Sequence, residues 1–226
     1  MGCTKSRCWK SSGHHTTESR FLDAFESLHI EGKVDVRIVQ DTLHLITVHA
    51  GRNVIPHITS EVIDGTLYLS NDNSCNFLRK ADKSIFVTLF VPSLHTIDFR
   101  GSGNVTSITP FVCDSMRIDL NDASGTLNLN IEAGWSHSKI HTGPGDVTLR
   151  GSSNNHFAYS TGNGFIDCSE LESPIASAVN RGTGDISVFA SEILSAEISH
   201  TGWVKYTGNP ATIHHTLTGS GQLIEL

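Results

Sequence analysis

Charge is scarce in this chain, with Asp, Glu, Lys and Arg making up only 17% of the 226 residues. That leaves little to solvate long helix faces. Gly, Ser, Thr and Asn fill much of the remainder, a composition suited to turn-dense β structure. The 16 Lys and Arg residues form no stripe and the formal net charge is −7, which disfavours a phosphate-backbone partner, so nucleic acid is not expected as a target. No apolar run is long enough to cross a bilayer. The five cysteines are odd in number and Cys75, Cys113 and Cys168 lie far apart, which gives no disulfide framework. No Gly-x-Gly opens a helical pattern or is followed by Lys-Ser or Lys-Thr, so none reads as a phosphate loop.

What the chain does have is a phrase that recurs about every twenty residues: a glycine two residues before an aliphatic side chain. Its anchors are Gly103, Gly125, Gly145, Gly164, Gly184, Gly202 and Gly221, separated by 22, 20, 19, 20, 18 and 19 residues. A near-constant period of that size points to stacked, self-similar coils. Glycine suits a sharp bend with positive φ, and the residues after it alternate as a half-buried strand does.

Two residues past each anchor stand Val105, Leu127, Val147, Ile166, Ile186, Val204 and Leu223, an unbroken aliphatic row. Four past stand Leu129, Leu149, Cys168, Val188 and Tyr206, with Ser107 and Glu225 interrupting the row in the outermost coils, where burial must stop. A second strand precedes each bend, marked by Leu120, Ile140, Tyr159 and Val179 five residues before four anchors. Ile198 lies only four before Gly202, which predicts a bend shortened by one residue there. The fold expected is an all-β, right-handed parallel β-solenoid, with coils rising about 4.8 Å each. The same glycines also fit an antiparallel sandwich with Gly-rich hairpins, although hairpin turns need no such row identity.

Three sections follow from the pattern. Residues 1–20 lack periodic apolar positions and read as a flexible tether. Residues 21–226 read as one solenoid domain, irregular and β-rich over 21–100 and regular over 101–226. Within the irregular part, 71–84 is the most polar excursion, and Pro56 and Pro92 mark edges or turns. Three readings compete at Cys3. Met1-Gly2-Cys3-Thr4-Lys5-Ser6 fits N-myristoylation beside a palmitoylatable cysteine. Gly2-Cys3 also fits the end of a bacterial lipoprotein cleavage box. The third is a cloning remnant with an idle thiol.

Phe25, Leu28-His-Ile-Glu-Gly, Val34-Asp-Val-Arg-Ile-Val-Gln, Asn53-Val-Ile-Pro, Gly65-Thr-Leu-Tyr-Leu, Val91-Pro-Ser-Leu-His-Thr-Ile-Asp and Gly101-Ser-Gly-Asn-Val occur in that order. With the solenoid tail they resemble the putative auto-transporter adhesin, head-GIN domain family. The resemblance implies a secreted or lipid-anchored protein of the bacterial cell envelope with a β-solenoid body. It favours the lipoprotein reading of Cys3, with an outer-membrane, periplasmic or extracellular location. It carries over no catalytic residue and no cofactor.

Candidates for chemistry lie one residue past each anchor, where outward positions run Asn104, Thr126, Asp146, Phe165, Asp185, Trp203 and Gln222. Asp146 and Asp185 are two coils, or roughly 9 to 10 Å, apart, with outward Asp167 on the coil between. A water-bridged acid pair of that kind serves inverting glycosidases, so a polysaccharide-active enzyme is one alternative; the plainer reading is Asp bonding turn backbone. Phe165 and Trp203 in the same row suggest instead a glycan-binding strip, rings packing on sugar faces beside carboxylate acceptors. Trp135 has no direction fixed by the pattern. The 13 histidines are scattered, so no metal site is expected, and no Gly-x-Ser-x-Gly elbow supports a nucleophilic serine. The function expected is a non-catalytic interaction or adhesion module, with a glycan or surface protein as partner. Another alternative is a structural subunit that self-associates through solenoid ends. For the anchor, mass spectrometry of protein made with its native leader should find a diacylglycerol adduct on Cys3; an unmodified N-terminus would remove that reading.

Overall fold

In a computed structural model, which describes residues 12–73 and 85–226, the repeat winds into a β-solenoid of about six turns built from stacked parallel strands. Cys3, Cys8, Cys75 and most of the polar 71–84 excursion lie outside the described residues. The regular strands are β8 (Thr96–Gly101), β9 (Asn104–Ser107), β10 (Phe111–Leu120), β11 (Thr126–Ile140), β12 (Asp146–Ser160), β13 (Ile166–Glu172), β14 (Ile175–Asn180), β15 (Ile186–Phe189), β16 (Ile193–Ile198), β17 (Val204–Thr207), β18 (Thr212–Leu217) and β19 (Leu223–Glu225). They follow an opening set: β1 (His15–Phe21), β2 (Ser27–Gly32), β3 (Asp35–Gln40), β4 (Leu45–Gly51), β5 (Ile58–Ile63), β6 (Thr66–Asn71) and β7 (Phe86–Val91).

The first inward row is continuous through the coils. Val105, Leu127, Val147, Ile166, Ile186, Val204 and Leu223 are successive partners across the parallel ladders, and all but the terminal Leu223 are buried. Stacking like on like buries an aliphatic spine without any strand having to be wholly apolar. From β8 onward every pairing of the ladder is parallel, which a hairpin sandwich does not allow. In the second row Leu149 meets a bulge, because the register passes from Thr148–Asp167 to Arg150–Glu170 and so accommodates one extra residue in β13.

Two features differ from the expected pattern. The row before each bend is Leu120, Ile140, Ser160, Asn180 and Ile198; Tyr159 and Val179 are one position off it and face outward. The bend is therefore shortened from the coil of Gly164 onward, two coils earlier than Ile198 suggested. The row carries no apolar signature at these two positions because Ser160 and Asn180 are polar. Asn180 fits there because its Nδ2 donates to Gly184 O (2.9 Å) and Trp203 O (3.0 Å) while its Oδ1 accepts Gly182 N–H (3.0 Å).

The anchor glycines also differ in their reason. None has positive φ. They are glycine because the coils touch there: a Cβ on Gly125, Gly164 or Gly184 would lie 1.9 Å from the carbonyl oxygen of the preceding anchor.

In the opening section stacking order departs from chain order. β2 lies between β6 and β8, and β3 between β7 and β9, all parallel. The later-made coil of β6 and β7 is thus outside the earlier one. Antiparallel strands then close this end, β5 on β6, β4 on β7 and β1 on β4. Of the tether expected over 1–20, residues 15–20 belong to β1. Arg20 ties β1 to β5 by donating from Nη1 to Ile58 O (2.8 Å) and Ser60 Oγ (3.0 Å).

Two substitutions test the stacking by chemical denaturation. Ile186→Ala should lower stability by about 2–5 kcal/mol through the cavity it leaves. Gly184→Ala, which adds only a methyl, should cost about 1–3 kcal/mol through overpacking; a neutral result would mean the coils do not touch at the anchors.

Candidate functional site

The solenoid presents two long outward faces. One sheet comprises β5, β6, β2, β8 and the coil portions preceding each Gly-rich bend; the other comprises β1, β4, β7, β3, β9 and the portions following it. The expected glycan strip lies on the second sheet. Its row is held by a relay in which an acid of one coil accepts the backbone N–H of the next: Asp146 Oδ1 from Phe165 N (2.8 Å) and Asp185 Oδ1 from Trp203 N (2.9 Å). Asp185 also pairs with Lys205 Nζ at 2.9 Å, and that ammonium stands 5.9 Å from the Trp203 ring centroid. Asp167 accepts the N–H and hydroxyl of Ser169 at the bulge. The three acids are thus structural acceptors first. Phe165 and Trp203 remain 55% and 38% exposed, two coils apart with Asp185 between them.

Trp135 belongs to the first sheet, and its neighbourhood was not legible in the sequence. Trp135, Asn155 and Ile175 are cross-coil partners, and beside them run His137, Phe157 and Ser177. The small Asn155 between two large side chains leaves a hollow of about 360 Å³. Trp135 is 57% exposed at its edge. Lys139 Nζ stands 5.5 Å from the Phe157 ring centroid, and the His137 ring meets the same ring edge-on at 5.7 Å. Burial, followed by the charges of Lys139 and Arg117, lowers the His137 pKa, so His137 adds no charge beside Lys139 at neutral pH.

Further along this sheet Asp98 and Asp119 are cross-coil neighbours. Asp98 accepts from Asn121 Nδ2 (2.8 Å) and Arg100 Nε (3.2 Å) and contacts His29 Nδ1 (2.9 Å). Asp119 is held by Arg117 and by His141 Nε2 at 2.9 Å. Burial pushes both carboxyls up, but these hydrogen bonds and positive charges outweigh it and hold both below the usual carboxylate value. Neither therefore retains a proton to donate at neutral pH, whereas glycoside hydrolysis needs one raised and one ordinary acid. Among the described residues no group of three or more His, Cys, Asp or Glu is placed to hold a metal.

Inside the coils His156 is fully enclosed. Its Nδ1 contacts Ser136 Oγ at 2.8 Å and its Nε2 Ser138 Oγ at 3.3 Å. Burial, then the charge of His137, pushes its pKa down to about 3. Nearby Cys168 is a buried thiol whose pKa burial raises to about 12, a small hydrophobe in its row.

A crystal structure described as a putative adhesin from Bacteroides fragilis superposes with a TM-score of 0.86 at 24% identity, covering 94% of this chain and 97% of that one. A putative lipid binding protein from Parabacteroides distasonis gives 0.72 at 18%, covering 96% and 98%. A putative adhesin from Parabacteroides merdae gives 0.67 at 18%, also covering 96% and 98%. These likenesses establish the fold. Among curated proteins none matches significantly.

The buried imidazole has a measurable consequence. Its folded pKa of about 3 lies below the ordinary 6.5, so the unfolded chain takes the proton first as pH falls. Stability should be intact above the ordinary imidazole value and decline through acid pH, by up to about 1.4 kcal/mol per pH unit. His49 and His137 shift in the same direction, while Asp98 and Asp119, lowered from 3.8, add losses chiefly as pH falls toward and through that value. Urea midpoints between pH 7 and 4.5 should fall for the wild type and flatten in His156→Asn; an equal slope in both would refute the assignment.

The order of quoted segments, the stacked coils and a family profile spanning residues 24–210 agree, and the chain belongs to the putative auto-transporter adhesin, head GIN domain family.

Proposed function

We propose that the chain is a non-catalytic interaction module of the bacterial cell envelope that holds a glycan along the second sheet. The observation carrying this reading is the pair of exposed rings, Phe165 and Trp203, on one outward row with Asp185 between them. Their separation is about 9 to 10 Å along the stack, so an extended sugar chain lying parallel to the solenoid axis meets both. Apolar sugar faces pack on the rings, while Asp167, Ser187 and Lys205 offer hydroxyl partners from the adjacent outward row. A surface glycoprotein presents the same chemistry.

The family's adhesin description and the similar putative adhesins support a surface role. Among the described residues no helix is long and apolar enough to cross a membrane. A lipid on Cys3 would supply attachment. The carboxylates support binding over hydrolysis, because Asp146 and Asp185 are committed to backbone amides and Asp98 and Asp119 to cations and amides.

A glycan array probed with wild-type protein, Phe165→Ala and Trp203→Ala decides the matter. A specific signal lost in both variants, with unchanged thermal melting, is the expected outcome. Equal signals in all three, or no signal from the wild type, would remove the strip.

A further inference from the structure

The hollow beside Trp135 is on the opposite sheet and does not depend on the glycan reading. Nearly all of the surface it offers is apolar, and Trp135, Phe157 and Ile175 are the large apolar side chains among the residues that line it. A sugar needs several hydrogen-bond partners and is poorly served there; an apolar body is well served. Its size falls in the lower range of small-molecule sites, about 300–1,000 Å³.

The hollow's rim carries the complementary charge. Lys139 has cross-coil partners Asp119 and Tyr159, yet the Asp119 carboxylate is already taken by Arg117 and His141. The ammonium rests over the Phe157 ring, with no carboxylate paired to it among the described ion pairs. In a protein of formal charge −7, a cation left beside bare aromatic surface selects for an anion with an apolar tail.

We infer that the hollow lined by Trp135, Phe157 and Ile175 and edged by Lys139 binds a small amphiphilic carboxylate, its apolar body against the rings and its anionic head at the Lys139 ammonium. The other clusters do not compete. The Asp98–Asp119 network satisfies its own charges, and the His156–Ser136–Ser138 group is buried, bordering the floor of this same hollow at His156 with both ring nitrogens already engaged by serines.

The test uses the intact protein and two fluorescent probes, anilinonaphthalenesulfonate, an apolar anion, and N-phenylnaphthylamine, its uncharged counterpart. The sulfonate should bind saturably and be displaced several-fold more readily by decanoate than by decanol. Trp135→Ala should weaken both probes about tenfold or more. Because that side chain is exposed, the variant should melt with the wild type. Lys139→Met should weaken the sulfonate and decanoate several-fold and leave the neutral probe within about twofold. Phe165→Ala, on the other sheet, should change nothing. Absent or non-saturable sulfonate binding, binding unaffected by Trp135→Ala, displacement by decanol as readily as by decanoate, or equal loss of both probes in Lys139→Met would each overturn the inference.

Discussion

The missing Cβ at one corner of each coil governs the whole stack. Each anchor lets the coil above approach the carbonyl of the coil below. The backbone amides beside it then bond across the gap, as Asp146 N does to Gly125 O at 3.1 Å and Thr183 N to Gly162 O at 3.0 Å. With that corner closed, strands on both sides fall into parallel register and the aliphatic row meets itself. A Cβ would press on the carbonyl below most closely at Gly103, Gly125, Gly164 and Gly184 and least at Gly145, where the nearest atoms are 3.0 Å away, and would strain the sheets on both sides of the corner. The corner thus couples hydrogen bonding to burial.

Much of this was legible in the chain itself, for a physical reason. A solenoid repeats one local environment, so the same selection acts on Val147, Ile166 and Ile186 and writes the period openly. The reading failed where the interior broke the rule of apolarity. Ser160 and Asn180 face inward, Asn180 because the bend needs its donors and acceptor and Ser160 as a small side chain whose Oγ has no hydrogen-bond partner, while Tyr159 and Val179 look like core and face out. The glycines were found for the wrong reason, since spacing records that a residue must be small and not whether crowding or φ demands it. The opening section hid its topology entirely, because pairing between β2 and β6 or β8 leaves no period.

The site divides similarly. Phe165 and Trp203 could be placed on one row from spacing alone, but the commitment of Asp146 and Asp185 to backbone amides required coordinates. The hollow at Trp135 depends on neighbours from three coils and on the small size of Asn155, and it has no motif. What results is a rod with two unlike outward faces. One is polar and studded with separated rings. The other is a carbon-lined depression with a cation at its edge. A scaffold this regular can carry both, since an outward side chain can change without disturbing the spine beneath it.

The crossed order of the opening coils bears on how the rod is made. The strands of the regular tail add to neighbours about twenty residues earlier, a short loop to close. By contrast β3 finds its two partners at Phe86–Val91 and Asn104–Ser107, long after it has been synthesised. The first segment to emerge is therefore among the last to be completed. The tail can thus wind coil by coil through short closures, whereas the end that β1 and Arg20 tie down needs segments that lie further along the chain.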